Sequence, residues 1–335
     1  MEPKEIVDVV IPVCRPDERL VRILDALSEQ TAAVRRIRLI NTEKEWLVSS
    51  LAALQLTEQE LLERWPKAEI THIRQTEFDH AATRARGFQL CEGAEFILTM
   101  TQDAVPVGDG LVEAMLQPFR VDELLAVSYA RQLANPGATA EEKISREFNY
   151  PEQSRTKTQK DVAELGIKTY FCSDVCAMYR RKIWEKVGGF PAKAIFNEDM
   201  VFAGHALQAG YRIRYTAEAC VQHSHSYTAS QQFRRNFDLG VSQVQNPDVF
   251  RELSSEGEGM HYVKAVVRRL RQEHHAAQIP GFGVRCAARL LGYRLGKKYE
   301  KLPRGVILKC TSNRSYWSSG HNFSESKLSS KRWTF

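Results

Sequence analysis

No stretch of the 335-residue chain is apolar over the roughly 20 residues that a membrane-spanning helix requires. The segment from Met1 to Val13 includes acids and a proline, where a secretory signal peptide would carry a continuous apolar segment. We therefore expect a chain that neither crosses a bilayer by itself nor follows the secretory route.

The cysteines give no sign of a cross-linked or zinc-bound fold. Seven are present, an odd number at scattered positions, and their spacing does not link them into a zinc site. Reduced thiols of this kind are typical of a cytoplasmic protein. With 43% hydrophobic residues over this length, a core forms without disulfide or metal staples.

Two common nucleotide-binding loops are also missing. The first predicted strand is followed by the segment from Val13 to Asp17, which lacks the Gly-x-Gly-x-x-Gly pattern of a dinucleotide-binding domain. The chain has no Walker A loop either. A nucleotide is still expected at the carboxyl ends of the strands, where open α/β sheets bind their ligands.

Acidic residues are scarce at the end of the chain. Positions 260–335 hold 16 lysines and arginines against 3 aspartates and glutamates, an excess of +13. The preceding positions hold 31 against 38, which is −7. This asymmetry predicts a polyanionic partner, either an anionic membrane or nucleic acid. Aromatic residues that would stack on bases are sparse in the basic region, so a nucleic-acid partner is not expected.

The chain from Met1 to Ala130 alternates short apolar runs with helical patterns, which is typical of βαβ units and of a mostly parallel sheet. After Arg131 the pattern loosens into a long polar segment that reaches Gly166 and is followed by positions 168–179. One helix is expected to end near Gly188, another is expected over positions 197–209, and a strand is expected over 211–215. The earlier strands are predicted at 6–13, 36–40, 69–73, 95–100 and 124–130, with helices near 16–27, 47–54 and 80–91.

A polar, glycine-containing linker at 254–259 is expected to divide a first domain, 1–255, from a C-terminal extension, 256–335. In the extension, apolar positions from Val263 to Leu270 alternate with lysine and arginine, which predicts a basic amphipathic helix. We expect this helix to bind a membrane surface, and the extension to be separable from the first domain. The alternative is that the extension packs against a second subunit.

Asp103 follows the predicted strand 95–100, and a carboxylate at a strand end can hold a divalent cation against a pyrophosphate. Aspartate is equally favoured as a turn residue before Pro106.

Glu198 and Asp199 begin a helix, where one carboxylate can accept a proton while the other binds a hydroxyl. Compensation of the helix dipole is the simpler explanation of that pair.

Late in the chain, His223 and His225 flank Ser224 after an apolar segment, and histidine is a common metal ligand. Most surface histidines bind no metal, so this pair alone predicts little. Together with the earlier segments it completes an ordered series: 9–13 (Val-Val-Ile-Pro-Val), 79–87 (Asp-His-Ala-Ala-Thr-Arg-Ala-Arg-Gly), 101–103 (Thr-Gln-Asp), 188–190 (Gly-Gly-Phe), 198–199 (Glu-Asp) and 221–223 (Val-Gln-His).

In this order the segments resemble glycosyltransferase family 2, which has the GT-A fold, over roughly positions 5–245. A narrower resemblance is to bacterial rhamnosyltransferases. Compared with the Asp-x-Asp motif of the family, Thr101 replaces the first aspartate. The narrower resemblance rests on positions 98–104, 131–132, 148–151, 165–169, 197–200 and 223–227.

The resemblance implies an α/β GT-A domain that transfers a sugar with inversion, the donor being dTDP-rhamnose. It implies a divalent metal, Mn²⁺ or Mg²⁺, bound by Asp103 with His223 or His225, and Asp199 as the general base. Acceptor contacts are implied for Glu198, Ser173 and Asp174. Nucleotide contacts are implied for Pro12, Cys14, Asn41, Thr42, Asp79, Arg84 and Gln102.

The expected acceptor is a glycan or lipid-linked glycan in cell-surface polysaccharide synthesis, because the basic extension supplies attraction to the inner face of the cell membrane. Two other classes of protein stay open. A catalytically inactive carbohydrate-binding protein of the same fold would bind a nucleotide sugar without hydrolysing it. A nucleic-acid-binding protein would use the basic extension and would bind in a salt-sensitive manner.

Overall fold

A nine-stranded sheet runs from Val7 to Gln222 and carries helices on both sides. The computed structural model describes residues 5–251, 253 and 256–318. Along the sheet the strands follow the order β3-β2-β1-β4-β8-β6-β9-β5, and β7 pairs with β9. The strands are β1 Val7–Val13, β2 Val34–Thr42, β3 Ala68–Ile73, β4 Phe96–Met100, β5 Val105–Pro106, β6 Leu125–Leu133, β7 Arg155–Lys157, β8 Cys176–Arg180 and β9 Arg212–Gln222.

Fifteen α-helices occur in the described residues, and several short 3-10 turns join them. The helices are α1 Glu18–Ser28, α2 Lys44–Ala53, α3 Glu58–Arg64, α4 His80–Gln89, α5 Leu111–Val121, α6 Ala140–Asn149, α7 Val162–Leu165, α8 Arg181–Val187, α9 Glu198–Gln208, α10 Ala229–Gln245, α11 Pro247–Phe250, α12 Glu256–Gln272, α13 Ile279–Gly296, α14 Arg304–Cys310 and α15 Arg314–Ser318.

The amino-terminal part of the sheet is parallel, as its alternating pattern predicts. β1 pairs in parallel with β2 and β4, and β2 pairs in parallel with β3. The crossover helix α1 is capped by the Asp17 side chain and buries the predicted face of Leu20, Ile23, Leu24 and Leu27. Helix α3 was not predicted, although Thr57 and Glu60 form a capping box that is visible in the sequence.

Beyond β4 the sheet is mixed, which corrects the expectation of a mostly parallel sheet within an otherwise confirmed α/β fold. β8 lies antiparallel between β4 and β6, while β6 and β9 pair in parallel. The antiparallel direction follows from the chain path, because Cys176 at the start of β8 pairs with Met100 at the end of β4. The chain thus enters β8 from the carboxyl edge of the sheet and has to run back.

The predicted amphipathic helix forms as α12, but its apolar face is turned toward the first domain. Val266 and Leu270 are completely buried in a cluster with Ile144 of α6 and Phe282 of α13. The membrane-binding role expected for this face is therefore incorrect. A helix with an apolar stripe buries it on the nearest apolar surface, and here α6 supplies that surface.

The predicted linker is also shorter than expected. Helix α12 already begins at Glu256, and the glycines at 257 and 259 lie within it, where an added Cβ would meet no atom. Residues 254 and 255 of the linker, and 319–335 of the extension, lie outside the described residues.

Helices α10 and α13 cross at unusually short distance because glycines line the crossing. A Cβ at Gly292 would lie 2.1 Å from the carbonyl oxygen of Phe233, and one at Gly296 would lie 2.1 Å from that of Phe237. From the other side, a Cβ at Gly240 would lie 2.4 Å from the carbonyl oxygen of Tyr293. Backbones this close exclude every larger side chain, so the extension is fitted closely to the first domain.

Among the described helices, none combines the length and the apolar character that crossing a bilayer demands.

Candidate active site

Three side chains from two distant parts of the chain meet beside the sheet. The ligand atoms of Asp103, His223 and His225 all lie within 4.8 Å of one another. The Asp103 carboxylate is 3.6 Å from His223 Nε2 and 3.1 Å from His225 Nε2. They meet because β5, just after Asp103, pairs with the end of β9, just before His223. The structure thus brings together all three residues that the sequence suggested as metal ligands.

A buried hydrogen bond orients the first of these histidines. His223 Nδ1 lies 3.0 Å from Oε1 of Gln132, which also accepts a hydrogen bond from Arg146 at 2.6 Å. Because that oxygen can only accept, Nδ1 carries the proton, and the lone pair of Nε2 faces the space between Asp103 and His225, whose Nε2 lies 3.0 Å away. Burial lowers the pKa of His223 to about 3, so its imidazole is neutral, as a metal ligand must be.

The donor set fits a divalent cation. Burial would raise the pKa of Asp103, but its hydrogen bond with His225 and the proximity of His223 outweigh that effect and lower it, so the carboxylate is ionised. Two imidazole nitrogens and one carboxylate oxygen leave the remaining coordination positions open for ligand oxygens. Imidazole nitrogen is a common ligand of first-row transition metals, whereas Mg²⁺ takes oxygen ligands.

A second cluster of charged groups lies at the start of α9. Arg84 donates to Glu198 at 2.6 Å and lies 3.3 Å from the Asp174 carboxylate. The Asp199 carboxylate accepts hydrogen bonds from the backbone N–H groups of Asp174, at 3.1 Å, and Met200, at 2.7 Å. Arg84 is buried between these acids, and its guanidinium faces them. It does not line the cavity over the ends of β1 and β2 that is described below.

Burial, together with the crowding of carboxyl groups, makes Asp199 a stronger base than a free aspartate. Burial raises its pKa well above the ordinary value, and the carboxylates of Asp174 and Glu198 raise it further. Burial likewise raises the pKa of Asp174 to about 7, against the opposing effect of Arg84. A base whose pKa lies closer to the working pH accepts a proton more readily in the transition state.

Hydrogen bonds connect the two clusters. Gln132, which orients His223, donates from its amide to Ser173 at 2.9 Å. The next residue in the chain, Asp174, donates its backbone N–H to Asp199. The predicted acceptor residues therefore lie between the metal ligands and the candidate base, and a rigid network holds all of them in place.

Asn197 holds the start of α9 in a special conformation. Its φ of 64° lies in the left-handed region, which asparagine adopts more readily than most residues. A neighbouring cavity of about 640 Å³ extends from Asn197 and Met200 toward Tyr129 and Phe148. Asn197 and Met200 flank the Glu198-Asp199 pair in the chain, so the cavity lies beside the start of α9, although neither carboxylate lines it.

A separate cavity of about 420 Å³ opens over the ends of β1 and β2. Cys14 and Thr42, both predicted to contact a nucleotide, line it together with Trp46 and His80. The Thr42 hydroxyl is buried and makes no hydrogen bond within the described part of the chain, so it has capacity to bind a ligand. A cleft at the carboxyl ends of parallel strands is where this class of sheet binds nucleotides.

The other residues predicted to contact a nucleotide support this cavity from outside it. Asn41 is fully buried and donates to the Glu43 carbonyl, and Pro12 lies in β1. Asp79 caps α4, accepting from the N–H groups of Ala81 and Ala82, and also accepts from Ala194. The side chain of Gln102 makes two hydrogen bonds of 2.8 Å to the backbone of Cys14.

Sequence reasoning missed two residues of the site. Arg235 of α10 lines the 420 Å³ cavity, and its guanidinium lies over the rings of Phe196 and Tyr227 without an ion pair to any described acid. Gln132 belonged to a segment that supported the resemblance but had no assigned role. The signal available for Gln132 was its place just after the predicted strand 124–130, whereas helix α10 offered none for Arg235.

Comparisons with known proteins identify the family to which the chain belongs. The family model described as Glycosyl transferase family 2 matches residues 8–188. The chain is 38% identical to the O-antigen chain rhamnosyltransferase WbaN of Salmonella anatum over 247 residues, covering 73% of this chain and 78% of that protein. It is 32% identical to the O-antigen chain rhamnosyltransferase RfbN of Salmonella typhimurium over 314 residues, covering 93% of this chain and 96% of that protein.

A solved structure shows the same fold. The mannosyltransferase PcManGT from Pyrobaculum calidifontis, in complex with GDP-Man and Mn²⁺, superposes with a TM-score of 0.53 at 14% identity. The match covers 95% of this chain and 89% of that one. With the family model spanning more than half of the chain and a relative aligned along nearly all of it, the protein belongs to glycosyltransferase family 2 and is a glycosyltransferase.

Proposed function

We propose that this glycosyltransferase moves L-rhamnose from dTDP-rhamnose to a lipid-linked or polysaccharide acceptor in O-antigen synthesis, with inversion at the transferred carbon. The names of the two Salmonella relatives support the sugar and the pathway. The single observation that carries the proposal is the convergence of Asp103, His223 and His225, with Gln102 beside Asp103 hydrogen-bonded to Cys14 at the cavity over the strand ends.

Asp103, His223 and His225 would hold a divalent cation, which supplies Lewis-acid stabilisation of the departing diphosphate when bound. We favour Mn²⁺ over Mg²⁺ because two of the three ligand atoms are imidazole nitrogens. Arg235 has no acidic partner among the described residues and would add positive charge beside the diphosphate. Together these groups would offset the negative charge that develops on the leaving group.

Asp199 is the proposed general base, which takes the proton from the acceptor hydroxyl as that oxygen attacks. The backbone N–H groups of Asp174 and Met200 fix the orientation of its carboxylate. Attack by a hydroxyl on the side opposite the leaving diphosphate is a single displacement and inverts the sugar carbon. Glu198, Asp174 and Ser173 would bind the acceptor, whereas Arg84 would position Glu198 and Asp174.

The nucleotide would occupy the cavity lined by Cys14, Thr42, Trp46 and Arg235. Asn41, Asp79 and Gln102 would shape its walls, and Pro12 would lie in the strand beneath it, one residue before its end. The acceptor would enter through the larger cavity beside Asn197.

The extension would bring the enzyme to the inner face of the cell membrane, through the outer side of α13 rather than through α12. Val284 and Leu291 are 61% and 62% exposed and lie two helical turns apart, so they share one side of the helix. Ala287 and Arg294 lie on the same side and are also exposed. Each lysine or arginine of the extension near an anionic surface would contribute about 1 kcal/mol of attraction.

A panel of nucleotide sugars tests the proposed reaction. The purified protein is incubated with dTDP-rhamnose, UDP-glucose and GDP-mannose, each with Mn²⁺ or EDTA, and the release of nucleoside diphosphate is followed. We expect release from dTDP-rhamnose that EDTA abolishes. Binding of dTDP-rhamnose without any release, even when a glycan acceptor is added, would instead indicate an inactive binding protein.

A further inference from the structure

Four residues of the extension lie against the nucleotide cavity of the first domain. Residues 312–315, named here the cavity wall, line the cavity opposite Thr42, Trp46 and Gln75. They lie far beyond position 188, where the match to the family model ends, so the family model says nothing about them. They contribute two serine hydroxyls, an amide and a guanidinium to a cavity that otherwise presents many aromatic and apolar groups.

Asp238 fixes the first end of the cavity wall. Its carboxylate is 2% exposed and accepts one hydrogen bond from the Thr311 hydroxyl at 2.6 Å and one from the Ser312 backbone N–H at 2.8 Å. Asp238 also lines the cavity, and it lies one helical turn after Arg235. One turn of α10 therefore provides both Arg235, which lines the cavity with a positive charge, and Asp238, which holds the cavity wall in place.

The other end of the cavity wall is fixed by packing. Asn313 caps α15 by accepting from the Ser315 hydroxyl and the Tyr316 N–H. Tyr316 and Trp317 follow, each 6% exposed, in a cluster with Ile195 of the first domain. A short segment held at both ends in this way keeps a defined shape.

We propose that the cavity wall is part of the nucleotide-binding site, with its polar groups contacting the bound nucleoside diphosphate, and that Asp238 is its positioning residue. This inference rests on the proposed function, which places the nucleotide in this cavity. Within the described residues the Asn313 amide nitrogen makes no hydrogen bond and is available to donate to a base or ribose oxygen. The extension is then required for donor binding and is not a separable membrane-binding appendage.

Calorimetric titration with dTDP, in the presence of Mn²⁺, tests the assignment on the full chain. Ser315→Trp should fill the cavity from the wall side and weaken dTDP binding by about tenfold or more. Lys309→Trp is the matched control, because Lys309 is exposed on α14 and does not line the cavity. Melting curves of all variants establish that they are folded.

A double-mutant cycle tests the anchor. Asp238→Asn replaces one hydrogen-bond acceptor by a donor and should also weaken dTDP binding about tenfold. Since both changes act through the same segment, the loss in Asp238→Asn/Ser315→Trp should be clearly smaller than the product of the single losses. If the loss of dTDP affinity in the double variant equals the product of the two single losses, Asp238 does not act through the cavity wall. Unchanged dTDP affinity in a folded Ser315→Trp variant would overturn the cavity wall as part of the site, while a wild-type protein that binds no nucleoside diphosphate would overturn the proposed function itself.

Discussion

The side-chain amide of Gln102 makes two hydrogen bonds to the backbone of Cys14, one donated and one accepted, each 2.8 Å long. This pair joins the end of β1 to the loop after β4, far along the chain. Cys14 lines the nucleotide cavity, and Asp103 adjoins Gln102. One amide therefore fixes the floor of the cavity relative to the three proposed metal ligands.

Replacing Gln102 by alanine should weaken nucleotide binding. Both hydrogen bonds disappear, and the loss of a neutral pair is worth about 1 kcal/mol per bond, so we expect the Kd for dTDP to rise by about 5- to 30-fold. Gln102→Glu keeps the acceptor for the Cys14 N–H but places a carboxylate against its carbonyl, and should be at least as harmful. Gln117→Ala, on the exposed side of α5, is the control. Equal affinities in all variants would show that the bridge has no role in binding.

Mn²⁺ affinity should depend on the three proposed ligands and on the residue that orients one of them. Asp103→Ala and His223→Ala should abolish the tight Mn²⁺ site measured by electron paramagnetic resonance. Gln132→Ala should weaken it by about 10- to 100-fold, because His223 loses the partner that fixes its tautomer.

The control for this experiment is His205→Ala, since His205 is paired with Asp248 on a different part of the surface. The measurement needs no donor or acceptor. Wild-type affinity in the Asp103→Ala variant would place the metal elsewhere, and Arg235 would then be the main cation beside the diphosphate.

Asp199→Asn should separate catalysis from binding. We expect kcat to fall by about 10²-fold or more while the Kd for dTDP stays within a factor of two, because the base acts only in the transition state. In the wild type, kcat should rise with pH through the raised pKa of Asp199, since the base must be ionised. A variant with near-normal kcat would move the base to Glu198 or Asp174.

The same substitution has a distinct effect on stability. A carboxyl whose pKa is raised on folding favours the folded state at low pH and loses that contribution as the pH rises above the unfolded value of about 3.9. Asp199→Asn should therefore melt at a higher temperature than the wild type at pH 8, and the difference should shrink toward pH 4. A variant that is less stable at pH 8 would show that the hydrogen bonds of the carboxylate outweigh its burial.

The crossing of α10 and α13 should tolerate no side chain at Gly292. Gly292→Val places side-chain atoms against the Phe233 carbonyl oxygen. The free energy of unfolding should fall by about 1–3 kcal/mol or more, since this is the usual cost of overpacking. Denaturant titration measures the change. Gly283→Ala is the matched control in the same helix, because its Cβ meets no atom. This change should raise stability by up to about 1 kcal/mol, through its helix propensity alone. Equal stabilities would mean that the helices separate without cost.

Binding to anionic liposomes should depend on the outer side of α13. Val284→Glu and Leu291→Glu each remove an exposed apolar side chain and add a negative charge, so cosedimentation with phosphatidylglycerol vesicles should fall several-fold. Binding of the wild type should also decrease between about 0.05 and 0.5 M salt. Val121→Glu, at an exposed valine of the first domain, is the control. Undiminished binding in both α13 variants would place the membrane contact elsewhere.

Apart from α3, β5 and α5, the order of strands and helices as far as β6 could be predicted, because each of these elements has its own hydrophobic period. The buried side of α1 and the apolar β4 are local patterns, and the structure has both where the sequence indicates them. The direction of β8 could not be predicted from a local pattern, because it depends on the edge of the sheet from which the chain enters the strand. The residues of β8 itself do not indicate that edge.

By itself the sequence determined that an acid follows β4 and that histidines follow β9. Both statements need only the position of each residue relative to a neighbouring strand. Only the tertiary structure decided that Asp103 and His223, so distant in the chain, meet through the pairing of β5 with β9. It also turned the apolar face of α12 inward and placed the cavity wall beside Thr42 and Trp46 in the cavity proposed for the nucleotide. These outcomes depend on which surfaces are near each other in space. The fold that buries the most apolar area is favoured, and a local sequence pattern does not show which surfaces that fold brings together.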